Sequence, residues 1–248
     1  TVKLRISGYS PKPQALYVPQ DDARQAVDYG KLPVQQDQYG NFFLMVEGDY
    51  SFVFDVEVDA SKPSIPADQR FPPGGAEDGT YLQNSSYIQP SDPEAARRAL
   101  DATRNSRTLL HAMKDLSLWV NSYMEYDTAY WGGIYSSSEA LGLRKGVCDE
   151  FANVYIAMAR SLGMPSRVAT GIVFTGSQWQ RHAWAETLVG GTWVPTDPTF
   201  GEIGLVNALH VKLYHAPSYL FYQFPQSLED ITVLEYTVDD YGVDLVVE

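Results

Sequence analysis

A chain of 248 residues with a formal net charge of −13 and 44% hydrophobic residues is long enough for one large domain or two modest ones, with the apolar content to bury a core. The acidic balance disfavours nucleic acid, whose phosphates it would repel, and no run approaches eighteen apolar residues, so no membrane span is expected within the chain. One cysteine, Cys148, excludes an internal disulfide framework and a Cys-rich zinc site. The chain opens on Thr1 without a charged and then apolar leader, which reads as a fragment of a longer protein and leaves cytoplasmic and extracellular placement both open.

Residues 1–59 read as β. TVKLRIS alternates, with Val2, Leu4 and Ile6 on one face, and two apolar runs at 42–46 and 52–58 flank Glu47-Gly48-Asp49, a hairpin signal. Residues 61–90 are rich in Pro, Gly, Ser and Asn and read as a linker or long surface loop. The expected organisation is therefore a β-rich N-terminal region with its linker over 1–90, and a second unit over 91–248 that ends in further strands.

Ser91-Asp92-Pro93-Glu94 has the makings of a helix start: a capping side chain, a proline in the first turn, then an acid at the positive end of the dipole. Helical composition follows to about Tyr126, in one or two helices, until Tyr130-Trp131-Gly132-Gly133 breaks it. SSSEALGLRKG suggests a loop with a short helix. CDEFANVYIAMARSLGMP predicts a helix whose Phe151, Val154 or Tyr155, Met158 and Leu162 form one stripe, ended by Gly163 and Pro165. Strands are then expected at 166–174, 182–189 and 192–197, the last two joined by Gly190-Gly191 as a two-residue turn. The tail adds LHVKLY, ITVLEYTV and VDLVVE as strand-like runs.

Cys148 falls at the predicted helix N-terminus. Unpaired N–H groups there favour a thiolate and can bind an oxyanion, so one place offers activation and transition-state stabilisation. A nucleophilic cysteine also needs a base, usually histidine, and a group to orient it. The histidines are His111, His182, His210 and His215. The Gly190-Gly191 turn makes facing residues sum to 381, so Trp184 faces Asp197 and His182 faces Thr199. All four then share one face of the ribbon, with His182 and Asp197 as diagonal neighbours about 7–8 Å apart. A one-residue slip would separate them onto opposite faces.

GVCDEFANVYIAMARSLGMPSRVATG (146–171) and RHAWAETLVGGTWVPTDPTFG (181–201), with a weaker lead-in at SYMEYD (122–127) and SSEALGLRKG (137–146), resemble the transglutaminase-like superfamily, papain-related enzymes with a Cys–His–Asp triad. The spacings of 34 and 15 residues agree with that family. The resemblance implies an α+β fold, a papain/transglutaminase-like core in which the nucleophile helix packs on an antiparallel sheet. It maps Cys148 to the nucleophile, His182 to the general base and Asp197 to the orienting acid. A second oxyanion donor in such enzymes comes from the segment upstream of the nucleophile, where Tyr126 and Trp131 stand. Trp184 and Trp193 read as packing residues, Asp149 and Glu150 as acids that complement the helix dipole at the cost of opposing a thiolate.

The resulting expectation is cysteine-dependent acyl transfer on amide or peptide bonds through a thioester, by a peptidase or amidase, a deamidase or a protein cross-linker. The expected partners are a protein or peptide substrate and, in the cross-linking case, an amine acceptor. No cofactor and no required metal are expected: some relatives use calcium, but no loop has an EF-hand pattern. A rival reading makes the chain a non-catalytic protein- or glycan-binding module with the transglutaminase-like fold as scaffold. Within enzymes, papain-type peptidases place their His roughly 130–150 residues downstream, and an arylamine N-acetyltransferase-like acyltransferase would need a phosphate-cradling Gly-rich loop that the triad region lacks.

Overall fold

A computed structural model of the protein describes residues 1–59, 69–73, 79–203, 209–218 and 230–238. The N-terminal strands are β1 (Val2–Tyr17), β2 (Gln25–Val27), β3 (Gln35–Gln36) and β4 (Phe42–Val58). A mainly helical stretch follows: α1 (Pro93–Thr103), α2 (Leu109–Tyr123), β5 (Glu125–Tyr126), α3 (Ser137–Leu143), β6 (Lys145–Gly146) and α4 (Cys148–Ser161). The remaining strands are β7 (Ser166–Phe174), β8 (Trp179–Val189), β9 (Thr192–Asp197), β10 (Glu202–Ile203), β11 (His210–Ala216) and β12 (Ile231–Tyr236). The result is a mixed α+β molecule with two principal sheets, ordered β12-β1-β4-β2, with β3 also on β4, and β10-β9-β8-β7-β11.

Helix starts follow the local chemistry. The Asp92 carboxylate accepts the Glu94 and Ala95 N–H groups ahead of α1, Thr108 accepts the His111 N–H at the start of α2, and Ser136 and Glu139 form a capping box on α3. Helix α4 departs from the single-stripe expectation. Every residue from Glu150 to Arg160 is buried, because α4 lies between β7–β8 on one side and α1–α3 on the other. Ala152, Ala157 and Ala159 keep the crowded faces small.

Glu47-Gly48-Asp49 is not a hairpin turn. The two apolar runs are halves of one strand, β4, paired antiparallel with the equally long β1. The irregularity lies opposite, where residues 11–13 of β1 bulge between the pairs Ser10–Gly48 and Gln14–Val46. Pro11 and Pro13 have no N–H to give a ladder, and Gly48 adopts a φ of 74° beside them. Val2, Leu4 and Ile6 are buried together as their alternation requires.

The segment read as a linker is tethered where it is described. Phe71 N–H donates to Arg107 O, the Leu109 N–H to Gln69 O, and the Ser137 N–H to Tyr87 O, while Ile88 is fully buried. The rest of that segment, at 61–68 and 74–78, lies outside the described residues, as do the VDLVVE run and Asp239-Asp240. The division at residue 90 follows chain order. In space, β12 returns to pair with β1 in the first sheet.

The two sheets meet at the outer edge of β11. There, side-chain amides from the N-terminal region take the place of a neighbouring strand. Gln25 accepts the Lys212 N–H and donates to Lys212 O, Gln20 donates to Leu213 O, and Asn41 accepts the His215 N–H and donates to His215 O. An open sheet edge is thereby satisfied without adding a strand. Ile172, Val211 and Leu213 pack into the same apolar cluster as Leu4, Ile6 and Phe54.

Candidate active site

The β8–β9 hairpin turns on Gly190 and Gly191, both at positive φ, where glycine carries no steric penalty. Its pairs run from Val189–Thr192 to Ala185–Thr196, the register that sums to 381. His182, Trp184 and Asp197 consequently share one face. The His182 Nε2 stands 2.6 Å from Asp197 Oδ2, with both side chains buried. Asp197 Oδ1 accepts the backbone N–H groups of Thr199 and Phe200, so the Asp-Pro turn and the histidine contact use the two oxygens of one carboxylate.

His210 of β11 also reaches this carboxylate: its Nε2 lies 3.1 Å from the same Oδ2, fully buried. The approach depends on Gly171 of β7, which pairs with His182 on one side and lies against β11 on the other. A Cβ at Gly171 would sit 1.9 Å from Val211 O. Sequence reading did not single out His210. The alternation His210-Val211-Lys212-Leu213 resembles a half-exposed strand, yet both faces are buried. The polar face looks onto charge: Lys212 and Arg167 both pair with buried Glu186, and Lys212 also with Asp22.

Burial by itself would raise the Asp197 pKa. The charge and hydrogen bond of His182, with those of His210, outweigh it and hold the carboxyl well below the usual range. Burial pushes the His210 imidazole down despite its bond to Asp197. An ionised carboxylate only accepts hydrogen bonds, so each Nε2 carries a proton, and Nδ1 is the basic nitrogen of His182. His111 lies on α2, and His215 bonds to Tyr39 O at the other end of β11. Of the four histidines, these two therefore stand away from the cluster.

Cys148 is the first residue of α4, and the side chain of the N-cap residue, Val147, gives no hydrogen bond to that helix start. It is half-buried, and the backbone N–H of Ala183, the residue after His182, bears on its thiol. Burial and then Asp149 raise the thiol well above its ordinary pKa; the Ala183 N–H opposes them, and Asp197 and Glu150 add to the rise. Among the described residues no hydrogen bond joins Cys148 to His182, an arrangement common before substrate tightens a site. The structure thus joins His182 to Asp197 directly and sets Cys148 against the adjoining backbone.

Glu150 does more than complement the dipole. Its buried carboxylate accepts the Val147 N–H at 2.8 Å and the Tyr135 N–H at 2.9 Å, tying the 130–135 loop to the helix start. The rim of the site is aromatic. Phe200 stacks on His182 with centroids 5.0 Å apart, and exposed Trp131 bears on Tyr126, which lies within the field of Cys148. Trp184 packs edge-on against His210, and Trp193 lies under the Arg167 guanidinium. His182, Asp197 and His210 also place three metal-ligating atoms within 4.8 Å of one another. Their convergence is accounted for by the two hydrogen bonds to one oxygen.

Residues 96–198 match the family model of the transglutaminase-like superfamily. The match supports a cysteine-dependent catalytic kind of protein. An uncharacterized protein of Mycobacterium leprae is 32% identical over 89 residues, which cover 33% of this chain and 32% of that relative; the chain thus spans about a third of the curated relative it matches. The fold resembles that of a Cytophaga hutchinsonii protein described as a candidate cysteine protease, at a TM-score of 0.64 and 18% identity over 98% of this chain and 93% of the other. The periplasmic domain of TgpA from Pseudomonas aeruginosa aligns with a TM-score of 0.48 and 15% identity over 79% of this chain and 73% of that one.

Proposed function

We propose that the chain is a cysteine-dependent acyl-transfer enzyme acting on amide or peptide bonds, with Cys148 as nucleophile, His182 as general base and Asp197 as the acid that orients it. The observation that carries this reading is the buried 2.6 Å contact of His182 with Asp197. Sγ attacks the carbonyl carbon as His182 Nδ1 takes the thiol proton. The tetrahedral intermediate collapses, the carbon–nitrogen bond breaks, and the leaving amine receives that proton. The thioester is then attacked by water or a lysine-like amine, with Nδ1 again as base, and the thiol is restored. Water gives hydrolysis or deamidation; the amine gives an isopeptide bond. The N–H groups opening α4 supply positive potential for the oxyanion.

The test is amide turnover on a panel of glutamine-containing peptides, with and without a primary amine, followed by ammonia release and product mass. Cys148→Ser is expected to lower turnover of any accepted peptide about a thousandfold or more. Turnover that survives in Cys148→Ser would refute the nucleophile assignment.

A further inference from the structure

We propose that His210 is a positioning residue for His182: its Nε2–H fixes the Asp197 oxygen that His182 uses, and the N-terminal region holds it there by clamping β11. The inference rests on the reading of His182 and Asp197 as base and orienter. Asp197 has its four acceptor directions filled, Oδ1 by the Thr199 and Phe200 N–H groups and Oδ2 by the two imidazoles. The hairpin supplies three of these donors. The fourth comes from a strand whose place depends on distant parts of the chain. His210 is packed edge-on against His182, Trp184 and Phe200, with centroids 5.6, 5.4 and 6.1 Å away. Two residues along β11, Lys212 exchanges both its backbone groups with the Gln25 amide. The N-terminal region thus reaches the triad through β11.

The chemistry gives this contact a direction. Oδ2 divides its charge between two N–H donors, so each bond is weaker than one made alone. Removing the His210 donor leaves that charge to His182, which strengthens its imidazolium form, and frees the carboxylate to rotate. Arg24 from the N-terminal region also bears on His210, and Asp149 and Glu150 at the start of α4 bear on Cys148.

Ring nitrogen NMR on the intact chain tests this. In the wild type, His210 is expected as the neutral Nε2–H tautomer. In His210→Phe, which keeps a ring but no donor, the His182 ring titration is expected to move up by about half a pH unit, with kcat down about tenfold and KM little changed. His210→Gln, which can return an N–H near the Nε2 position, is expected to restore both. A wild-type His210 protonated on Nδ1 alone overturns the proposal, whether or not the phenylalanine variant folds. So does a His182 titration unmoved in His210→Phe, even if the melting temperature falls, because that result makes His210 structural only. The Cys148→Ser turnover experiment judges the enzyme reading separately: its failure leaves the tautomer and titration results readable, and theirs leaves it intact.

Discussion

Glu150 is fully buried two residues beyond the nucleophile, and burial raises its pKa from an ordinary 4.5 to about 7, against the two backbone N–H groups that favour its charge. Between those values the folded chain holds a proton that the unfolded chain has released. Its contribution to stability is therefore full below about pH 4.5 and is lost as pH rises through 7, by roughly 3 kcal/mol over the interval. Glu150→Gln is expected to flatten the unfolding free energy between pH 5 and 7.5, measured by urea titration against wild type. An unchanged slope would show that the carboxyl does not titrate there. Its position was visible in the sequence as an acid at the third place of a helix. Its burial was not, since that depends on the 130–135 loop folding over it. Asp197 shows the opposite case: both its turn and its histidine contact follow from neighbours within the hairpin.

The hairpin was legible because its cause is local. Two glycines at the turn set the register of β8 against β9, and the register alone decides that His182 and Asp197 share a face. The pairing of β11 with β7 has no such local determinant, so His210 could not be assigned to Asp197 from its own strand pattern. Glu47-Gly48-Asp49 misled for a related reason: a glycine at positive φ serves a bulge as well as a turn. Gly171 provides the test at this scale. With a Cβ only 1.9 Å from Val211 O, Gly171→Ala must push β11 away from β7 or bend both. The expected loss is about 3 kcal/mol by urea unfolding, with the chemical shift of the His210 ring displaced. A stability within experimental error of wild type would mean that the two strands are not so closely set.

Across the molecule, the N-terminal region acts as a brace for the core. Its β character was readable from alternation in β1 and β4, but its purpose was not, because glutamine and asparagine side chains standing in for a strand leave no periodic trace. The brace has a charged component, in which Asp22 and Glu186 flank Lys212 and Arg167 is held on Glu186. It also has an amide component centred on Gln25. Gln25→Ala leaves the Lys212 N–H without its acceptor and is expected to cost about 2 kcal/mol. Hydrogen exchange at Lys212 should quicken more than exchange within α4. Equal exchange at both would mean that the edge of β11 does not depend on the clamp.

Activation of Cys148 by the His182–Asp197 pair is read from the rate of iodoacetamide alkylation at Cys148 from pH 5 to 9 in wild type and His182→Ala. Burial and the nearby acids hold the unassisted thiol well above its ordinary pKa, so rapid labelling below pH 8 requires an imidazolium partner. Rapid labelling well below pH 8 is expected in the wild type, slowed about tenfold or more in His182→Ala. Equal rates in the two proteins, or no labelling until the chain unfolds, would contradict activation by the pair.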